Sequence, residues 1–374
     1  MMLSLDVLGP LYASVYLAPW YRLLGARLGR RAEISTASFI SPDLLEIGEE
    51  SFIADSVSLG AARVEGGIMS IAENRIGKRS FIGNSALLPP GTTVADDCLI
   101  GCQSVPPETG GAAVPADTAW VGSPAIFLPQ RQKSTAFSAE TTFQPSRKLF
   151  AMRAAIELVR IVSPSAGFVA LTSLLFSAIV LLQDEVTPFQ MVWLFPLLYG
   201  GCACLAVAIT VAAKWLLVGR YRAGEQPLWS TFVWRNELVT ALQEHFANLF
   251  LVEVLTGTPF VCWYYRLLGA RIGRRVFMET TDLTEYDLVR IGDEAALNDD
   301  CTIQTHLFED RVMKMSTIDI GDRCSVGSNS LVLYDTRMEA GAALGPLSLL
   351  MKGETLPAGS RWLGSPARPG ADSA

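Results

Sequence analysis

The sequence lacks the patterns of several common protein classes. Its 37 acidic residues outnumber its 30 lysines and arginines, which gives a net charge of -7 and leaves no broad basic face for a nucleic acid. Its seven cysteines have neither metal-ligand spacing nor the spacing of a secreted disulfide framework, so we expect reduced thiols and no bound metal. No GxGxxG turn precedes a helix pattern, so no nucleotide cofactor is expected. The N-terminal segment has no basic leader and no small-residue cleavage site, so we expect no cleavable signal peptide.

Charge is also absent from two long stretches of the chain. Residues 161–182 and 187–213 contain no Asp, Glu, Lys or Arg, and each can cross a hydrocarbon core of roughly 30 Å as a helix. A soluble helical hairpin would need polar faces that these runs lack. Basic residues flank the pair, whereas the connection at 183–186 is acidic. The positive-inside bias therefore predicts two transmembrane helices over 161–218, in a multi-pass protein of the cell (inner) membrane whose flanking domains face the cytoplasm.

The sequence does contain an apolar residue at every sixth position over much of its second half. These positions are Ile291, Leu297, Ile303, Ile320, Val326, Val332, Met338, Leu344 and Leu350. Neither a strand nor a helix has a six-residue period, whereas a chain that coils with three flat sides per turn does. The pattern predicts a hexapeptide-repeat parallel β-helix over 261–368, within a fold that is mainly β with membrane α. The six-residue spacing is interrupted between Ile303 and Ile320, so Gln304–Asp319 is expected to leave the coil as a loop.

The chain also contains an internal duplication. Shifted by 244 positions, residues 20–31 fall on 264–275, and a second six-residue ladder appears over 25–130. The corresponding loop, 60–75, has Ala62 where the second copy has His306. If His306 is catalytic, the first copy is a degenerate platform. The glycines of the Ile-Gly pairs in both ladders are expected to be turn residues of the coil.

Three further segments complete the predicted domain organisation. They are 1–24 as an interfacial or membrane helix, 131–160 as a linker and basic helix, and 225–260 as an amphipathic helix. The first is apolar over 3–19 apart from Asp6, and the third has helical apolar spacing over 233–255 before Gly257 and Pro259. His245 lies inside this third segment and is expected to be a polar-face residue.

Several long motifs in residues 229–366 resemble a known family. They include FVWRNELVTAL, RLLGARIGRR, TTDLTEYDLVRIGD, LNDDCTIQTHLFEDRVMKM and RWLGSPA. The region resembles the membrane-embedded C-terminal part of the ε-poly-L-lysine synthetase family of nonribosomal peptide synthetases, with weaker matches at 20–130. The resemblance implies two tandem left-handed β-helix domains joined by a transmembrane helical hairpin.

The resemblance also implies an activity and its partners. In that family, adenylation and carrier domains load an amino acid as a thioester, and the tandem domains repeatedly join an amine to it. This chain has no adenylation region and no carrier serine motif. It is therefore expected to bind no cofactor itself, to use the phosphopantetheine thioester of a partner carrier protein or CoA as acyl donor, and to take an amino-acid amine as acceptor at the membrane lipid. Hexapeptide proteins commonly form trimers, so self-association is one alternative, and packing of the two copies on each other is another.

Amide formation from a thioester points to His306 as the candidate base. An ammonium group must lose a proton before it attacks, and histidine titrates at about 6.5. Hexapeptide acyltransferases as a class use a histidine at the coil edge, and Asp310 follows His306 as in the HxxxD pattern of condensation domains. Glu309 or Asp310 could orient the ring or bind a cationic amine, and Arg311 could hold Asp310.

Three further residues at the coil edge are candidate substrate-binding groups. Glu285 and Asp287 could recognise an ammonium group, and Asn298 could hold a carbonyl oxygen through its amide. A solvated or turn-stabilising role stays open for the acids and Arg311, as does a turn role for His306.

Three functions follow from different protein classes. The first is an amide-forming acyltransferase for carrier-bound amino acids, with His306 as general base. The second is an acyl-CoA-dependent hexapeptide acyltransferase with the same base. The third is a non-catalytic membrane scaffold for a peptide synthetase, for which the Ala62 copy is a natural example.

Overall fold

The structure is a computed structural model that describes residues 11–36, 40–129 and 136–370. It divides into two compact units. Unit 1 comprises residues 1–155, 225–230 and 308–314, and unit 2 comprises residues 156–224, 231–307 and 315–374.

The α-helices lie near the start of the described chain and between residues 139 and 268. In the described residues the α-helices are α1 Leu17–Leu23, α2 Ala139–Thr142, α3 Arg147–Leu182, α4 Pro188–Leu217, α5 Thr231–Leu242 and α6 Pro259–Leu268. A π-helical stretch, Gln243–Val252, and a 3-10 turn, Glu253–Leu255, continue α5. Two more 3-10 turns, Pro42–Leu44 and Tyr286–Leu288, lie in the coils.

The coil of unit 2 is built from three sheets whose strands follow one another in rotation. The first sheet contains Arg271–Ile272, Val289–Ile291, Ile318–Ile320, Thr336–Met338 and Thr355–Leu356. The second contains Phe277–Met278, Ala296–Leu297, Ser325–Val326, Ala343–Leu344, Arg361–Leu363 and the antiparallel Arg368–Pro369. The third contains Thr302–Gln304, Leu331–Leu333 and Leu349–Leu350.

The register of these sheets explains the six-residue period. Ile320 pairs in parallel with Met338, and Val332 pairs with Leu350, so successive turns of the coil are 18 residues apart. Three six-residue sides make one such turn. All nine apolar residues of the predicted ladder are buried, at 2% exposure or less, which is why each side needs one large apolar residue.

The glycines of the Ile-Gly pairs serve close stacking of successive turns. A Cβ on Gly48 would lie 2.6 Å from the backbone N of Lys78, and one on Gly292 would lie 2.6 Å from the backbone N of Asp322. Neither glycine has a positive φ. The left-handed residues of these corners come two positions later, at Glu50 (φ 62) and Glu294 (φ 59), so close stacking, and not a left-handed backbone, requires glycine at positions 48 and 292.

The break in the second ladder is a β-hairpin. Ile291 pairs with Ile320, 29 residues away, so this turn of the coil contains eleven extra residues. The two strands of the hairpin are His306–Glu309 and Val312–Met315, and the strand Gly224–Pro227 pairs with the second of them. Asp310 (φ 48) and Arg311 (φ 61) occupy the two-residue turn, as a type I′ hairpin requires. The predicted excursion was too long, because Gln304, Ile318 and Asp319 lie in coil strands.

Unit 1 contains a coil of the same spacing. Its first sheet contains Arg27–Leu28, Leu45–Ile47, Asn74–Ile76 and Thr93–Val94. Its second contains Glu33–Ile34, Phe52–Ile53, Phe81–Ile82, Leu99–Ile100, Ala119–Val121 and Ile126–Leu128. Its third contains Ser58–Leu59 and Leu87–Leu88. Ile47 pairs with Ile76 and Ile76 with Val94. The excursion is again a hairpin, Arg63–Glu65 and Ile68–Ser70.

The long helices expose apolar surface. Within the described part of the chain, three helical stretches, 139–182, 188–217 and 231–255, are long and apolar enough to cross a membrane. The protein buries only 6% of the apolar window of the first stretch and 22% of that of the second, whereas it buries 50% of that of the third. This exposed apolar surface indicates that the protein associates with a membrane. The stretch 231–255 instead packs on α4, where Ala203 and Ala206 contact the cluster that includes Phe246 and Phe250.

Several predicted segment bounds differ from the structure. The part of the predicted helix at 1–10 lies outside the described residues, and within them its α-helix is Leu17–Leu23. The basic segment before the first apolar run is the start of α3 itself, and residues 131–135 of the linker lie outside the described residues. The segment 225–260 begins as a strand and ends its helix at Leu255, and Pro259 starts α6.

Candidate active site

The candidate site of unit 2 is centred on Glu285, which directly precedes the 3-10 turn Tyr286–Leu288. Its backbone has φ 34 and ψ 62, a left-handed conformation that residues other than glycine rarely adopt. Its side chain is 1% exposed. A strained backbone and a buried carboxyl group at one residue are typical of a functional site.

His306 is the first residue of the hairpin strand and contacts this carboxylate. Its Nδ1 lies 2.8 Å from Glu285 Oε2, and its side chain is 13% exposed. The two residues meet because Leu283 pairs with Ile303 across neighbouring turns of the coil. Strand pairing therefore fixes the carboxylate and the imidazole side by side.

Three more side chains support the carboxylate. Asn236 of α5 donates from Nδ2 to Glu285 Oε1 at 2.8 Å, and the Thr305 hydroxyl donates to Glu285 Oε2. The Tyr221 hydroxyl in turn donates to Asn236 Oδ1 at 2.6 Å. The amide of Asn236 is thereby held with its nitrogen toward Glu285.

These contacts determine the charge of Glu285. Burial alone would raise the pKa of its carboxyl group, but the positive charge of His306 and the hydrogen bonds from His306, Thr305 and Asn236 hold that pKa below its ordinary value. An ionised carboxylate only accepts hydrogen bonds, so Nδ1 of His306 donates to it. When this imidazole loses its proton, its lone pair is on Nε2, which is the arrangement of a general base oriented by a carboxylate.

Asp287, two residues further on, has partners within unit 2. Lys214 Nζ at the end of α4 lies 2.7 Å from Asp287 Oδ2, and the Tyr221 backbone N–H donates to the same oxygen at 3.1 Å. Lys214 is fully buried and the Asp287 side chain is 5% exposed. The pair joins α4 to the start of the coil, which leaves recognition of an ammonium substrate by Asp287 as a prediction only.

Asn298 and Glu309 also make contacts within the protein. The Asn298 amide donates from Nδ2 to the Val326 carbonyl of the next turn at 2.6 Å. The Glu309 carboxylate lies 2.9 Å from Lys314 Nζ across the hairpin. Both side chains therefore stabilise local structure, whatever further contact they make with a substrate.

Asp310 and Arg311 form the hairpin turn and belong to unit 1. Arg311 is 1% exposed, and its Nη2 donates to the backbone carbonyls of Arg31 and Ser51. Its guanidinium also packs over the Phe143 ring, 5.1 Å from the centroid. Burial lowers the pKa of this guanidinium to about 10. Arg311 is thus held inside unit 1 by backbone oxygens.

Sequence reasoning missed Asn236, Thr305 and Tyr221 as supports of the site. One signal was available for Thr305. Displaced by 244 positions, Glu285, Thr305 and His306 correspond to Ser41, Ala61 and Ala62. The histidine, its carboxylate and the hydroxyl that supports the carboxylate are therefore all absent from the first copy. Asn236 and Tyr221 precede the duplicated segment, so no comparison of the two copies could reveal them.

Across residues 11–36, 40–129 and 136–370, no group of three or more His, Cys, Asp or Glu side chains is placed to hold a metal ion. All seven cysteines are free thiols; six are buried, and Cys204 is exposed.

Comparison with solved structures gives only weak similarities. A hexapeptide-repeat-containing acetyltransferase from Vibrio cholerae is 14% identical over 33% of this chain and 87% of its own, with a TM-score of 0.27. An N-acyltransferase from Bacillus cereus is 9% identical over 95% of this chain and 89% of its own, with a TM-score of 0.21. At such low scores neither similarity supports a conclusion, and the fold rests on the strand register described above.

Comparison with curated proteins gives a stronger similarity. No family model matches the sequence. The δ-poly-L-ornithine synthetase of Acinetobacter baumannii (strain AB307-0294) is 42% identical over 369 residues, which cover 98% of this chain. The match spans 27% of the length of that relative. Nearly the whole chain is therefore similar to about a quarter of an amino-acid polymer synthetase.

Proposed function

We propose that this chain is an amide-forming acyltransferase in which His306 is the general base and Glu285 orients it. The observation that carries the proposal is the buried Glu285–His306 contact at 2.8 Å, at the point where the hairpin leaves the second coil. The 42% identity to part of a polymer synthetase supports the same type of chemistry. That relative's name suggests an acceptor amino acid with a side-chain amine.

The proposed step transfers an acyl group from sulfur to nitrogen. His306 Nε2 removes a proton from the attacking ammonium group and passes it to water, and the neutral amine forms a C–N bond with the thioester carbonyl carbon. Nε2 then removes a second proton from the nitrogen of the tetrahedral intermediate, the C–S bond breaks, and the imidazolium gives this proton to the leaving thiolate. Glu285 remains ionised throughout and stabilises the imidazolium each time it forms.

The partners follow from the thioester donor. The acyl group would arrive on the phosphopantetheine of a carrier protein loaded by an adenylation domain, and CoA is the alternative donor. Both coils are proposed to be left-handed, in tandem, and on the cytoplasmic side of the inner membrane, with α3 and α4 as the spanning helices. Basic residues at the outer ends of this hairpin support that orientation.

The test is reconstitution of the purified chain in lipid nanodiscs with a loaded aminoacyl carrier protein. Replacing the base in His306→Ala should lower peptide formation by about 100-fold to 10,000-fold, the range for loss of a general base. His245→Ala is the matched control, because the chain has two histidines and this one lies on the π-helical stretch after α5.

The outcomes distinguish the three candidate functions. Product from the carrier thioester that depends on His306 supports the proposal. Product from an acyl-CoA alone, with the same dependence, would replace it with the acyl-CoA-dependent enzyme. Product formation that requires the chain but survives His306→Ala would indicate a scaffold.

A further inference from the structure

Helix α6, which leads into the coil of unit 2, has one face buried and one face exposed. Phe260, Trp263 and Leu267 are 52%, 56% and 58% exposed, and their spacing of three and four residues places them on one side of the helix. The buried side contains Val261, Cys262, Tyr264, Tyr265 and Leu268. The exposed side is therefore an apolar strip on a helix that is otherwise packed against the protein.

The strip is continuous with the end of the membrane helix α4. The Trp215 indole Nε1 donates to the Leu267 backbone carbonyl at 2.9 Å, which fixes the end of α4 to the end of α6. Trp215 is 44% exposed and Leu216 is 84% exposed. A surface that contains two tryptophans and lies where a spanning helix ends matches the aromatic belt of a bilayer interface.

We infer that α6 lies in the plane of the membrane surface, with Phe260, Trp263 and Leu267 in contact with lipid. An amphipathic helix binds such a surface by placing its apolar face about 5–10 Å into the headgroup and acyl boundary. Arg266, in the last turn, donates to the Ile272 and Gly273 carbonyls. The helix is thus tied to the first strand of the coil that carries His306.

Helix α1, the corresponding helix in unit 1, also combines buried residues with an exposed leucine near its end. In α1, Leu17 and Tyr21 are buried at 0% and 3% exposure, whereas Leu23 is 81% exposed, and Leu24, directly after the helix, is 45% exposed. Leu23 corresponds to Leu267 in the second copy. An exposed leucine at this position is therefore a feature of the helix that precedes each coil.

The inference rests on the placement of α3 and α4 in a membrane, but not on the chemistry of His306. It is tested with the photoreactive amino acid p-benzoyl-phenylalanine at position 263 or 267 of the full chain, in nanodiscs of phosphatidylcholine and phosphatidylglycerol. The positive control is position 193, since Trp193 is 67% exposed on α4. The negative control is exposed Thr355, at the far end of the ladder that begins at Arg271, four strand spacings or about 19 Å away.

Illumination should attach phospholipid to positions 263 and 267, as at 193, and not to 355, as measured by the mass of the adducts. Lipid adducts at 193 without any at 263 and 267 would overturn the inference while leaving the spanning helices in place. Crosslinking of 263 to a second copy of the chain would overturn it in favour of a protein interface. Lipid attachment at none of these positions would overturn the membrane placement as well, and activity in the peptide assay is independent of all these results.

Discussion

The residues of the candidate site divide into one pair that carries charge and several that hold the pair in place. Glu285 accepts hydrogen bonds from Asn236, Thr305 and His306, and its strained backbone is held by the coil. Asp310, the acid predicted from the HxxxD spacing, lies instead at the first position of the hairpin turn. The two carboxylates therefore predict different consequences when each loses its charge.

Glu285→Gln should lower the rate of peptide formation by about 100-fold or more, because the neutral amide no longer stabilises the imidazolium or selects its tautomer. Asp310→Asn removes the same charge from the turn and should change the rate by less than about tenfold. The measurement is kcat with the loaded carrier protein, with thermal melting to check that both variants fold. Equal losses in the two variants would show that Asp310 shares the orienting role.

At the scale of elements, the coil is determined by close stacking as much as by its apolar ladder. Gly292 lies against the backbone of Asp322 in the next turn, so an added methyl group has no space there. Gly200 in α4 has no atom within 4 Å of an added Cβ. The same substitution therefore has opposite expected effects in the two elements.

Gly292→Ala should lower the free energy of unfolding by about 1–3 kcal/mol or more, because overpacking forces the two turns apart. Gly200→Ala should leave stability unchanged or slightly raised, since alanine favours helix. Thermal unfolding of both variants in the same detergent measures the difference. A Gly292→Ala protein as stable as the parent would mean that the turns can separate without cost, contrary to the stacking described here.

The sequence predicted the strand positions well because each side of the coil needs one inward apolar residue, and that need recurs every six residues. It predicted neither the hairpin nor the partner of His306. The hairpin turn uses Asp310 and Arg311, which lack the Asn-Gly or Asp-Gly signature of a type I′ turn. An 18-residue turn would place Leu288 beside His306, but Leu283 pairs with Ile303, 20 residues away. This local lengthening of the coil brings Glu285 to the imidazole instead.

The whole molecule contains a buried glutamate with a lowered pKa in each unit. In unit 1, burial would raise the pKa of Glu50, but Arg31 and Arg79 lie 2.6 Å and 3.0 Å from its oxygens and lower it. In unit 2, His306, Thr305 and Asn236 have the same net effect on Glu285. A carboxyl group with a lower pKa in the folded state binds fewer protons there than in the unfolded state.

Both glutamates therefore stabilise the folded protein at neutral pH, and the contribution should disappear as the pH falls below the ordinary glutamate value of 4.5. Hydrogen exchange at pH 7 and under acid can follow peptides from each unit separately, because unfolding of two units need not be a single transition. Glu50→Gln should make unit 1 less stable at pH 7 and less sensitive to acid, with little change in unit 2. Glu285→Gln should make unit 2 less stable at pH 7 and less sensitive to acid, with little change in unit 1. If both units remain sensitive to acid in a variant that combines Glu50→Gln and Glu285→Gln, the sensitivity comes from other carboxyl groups.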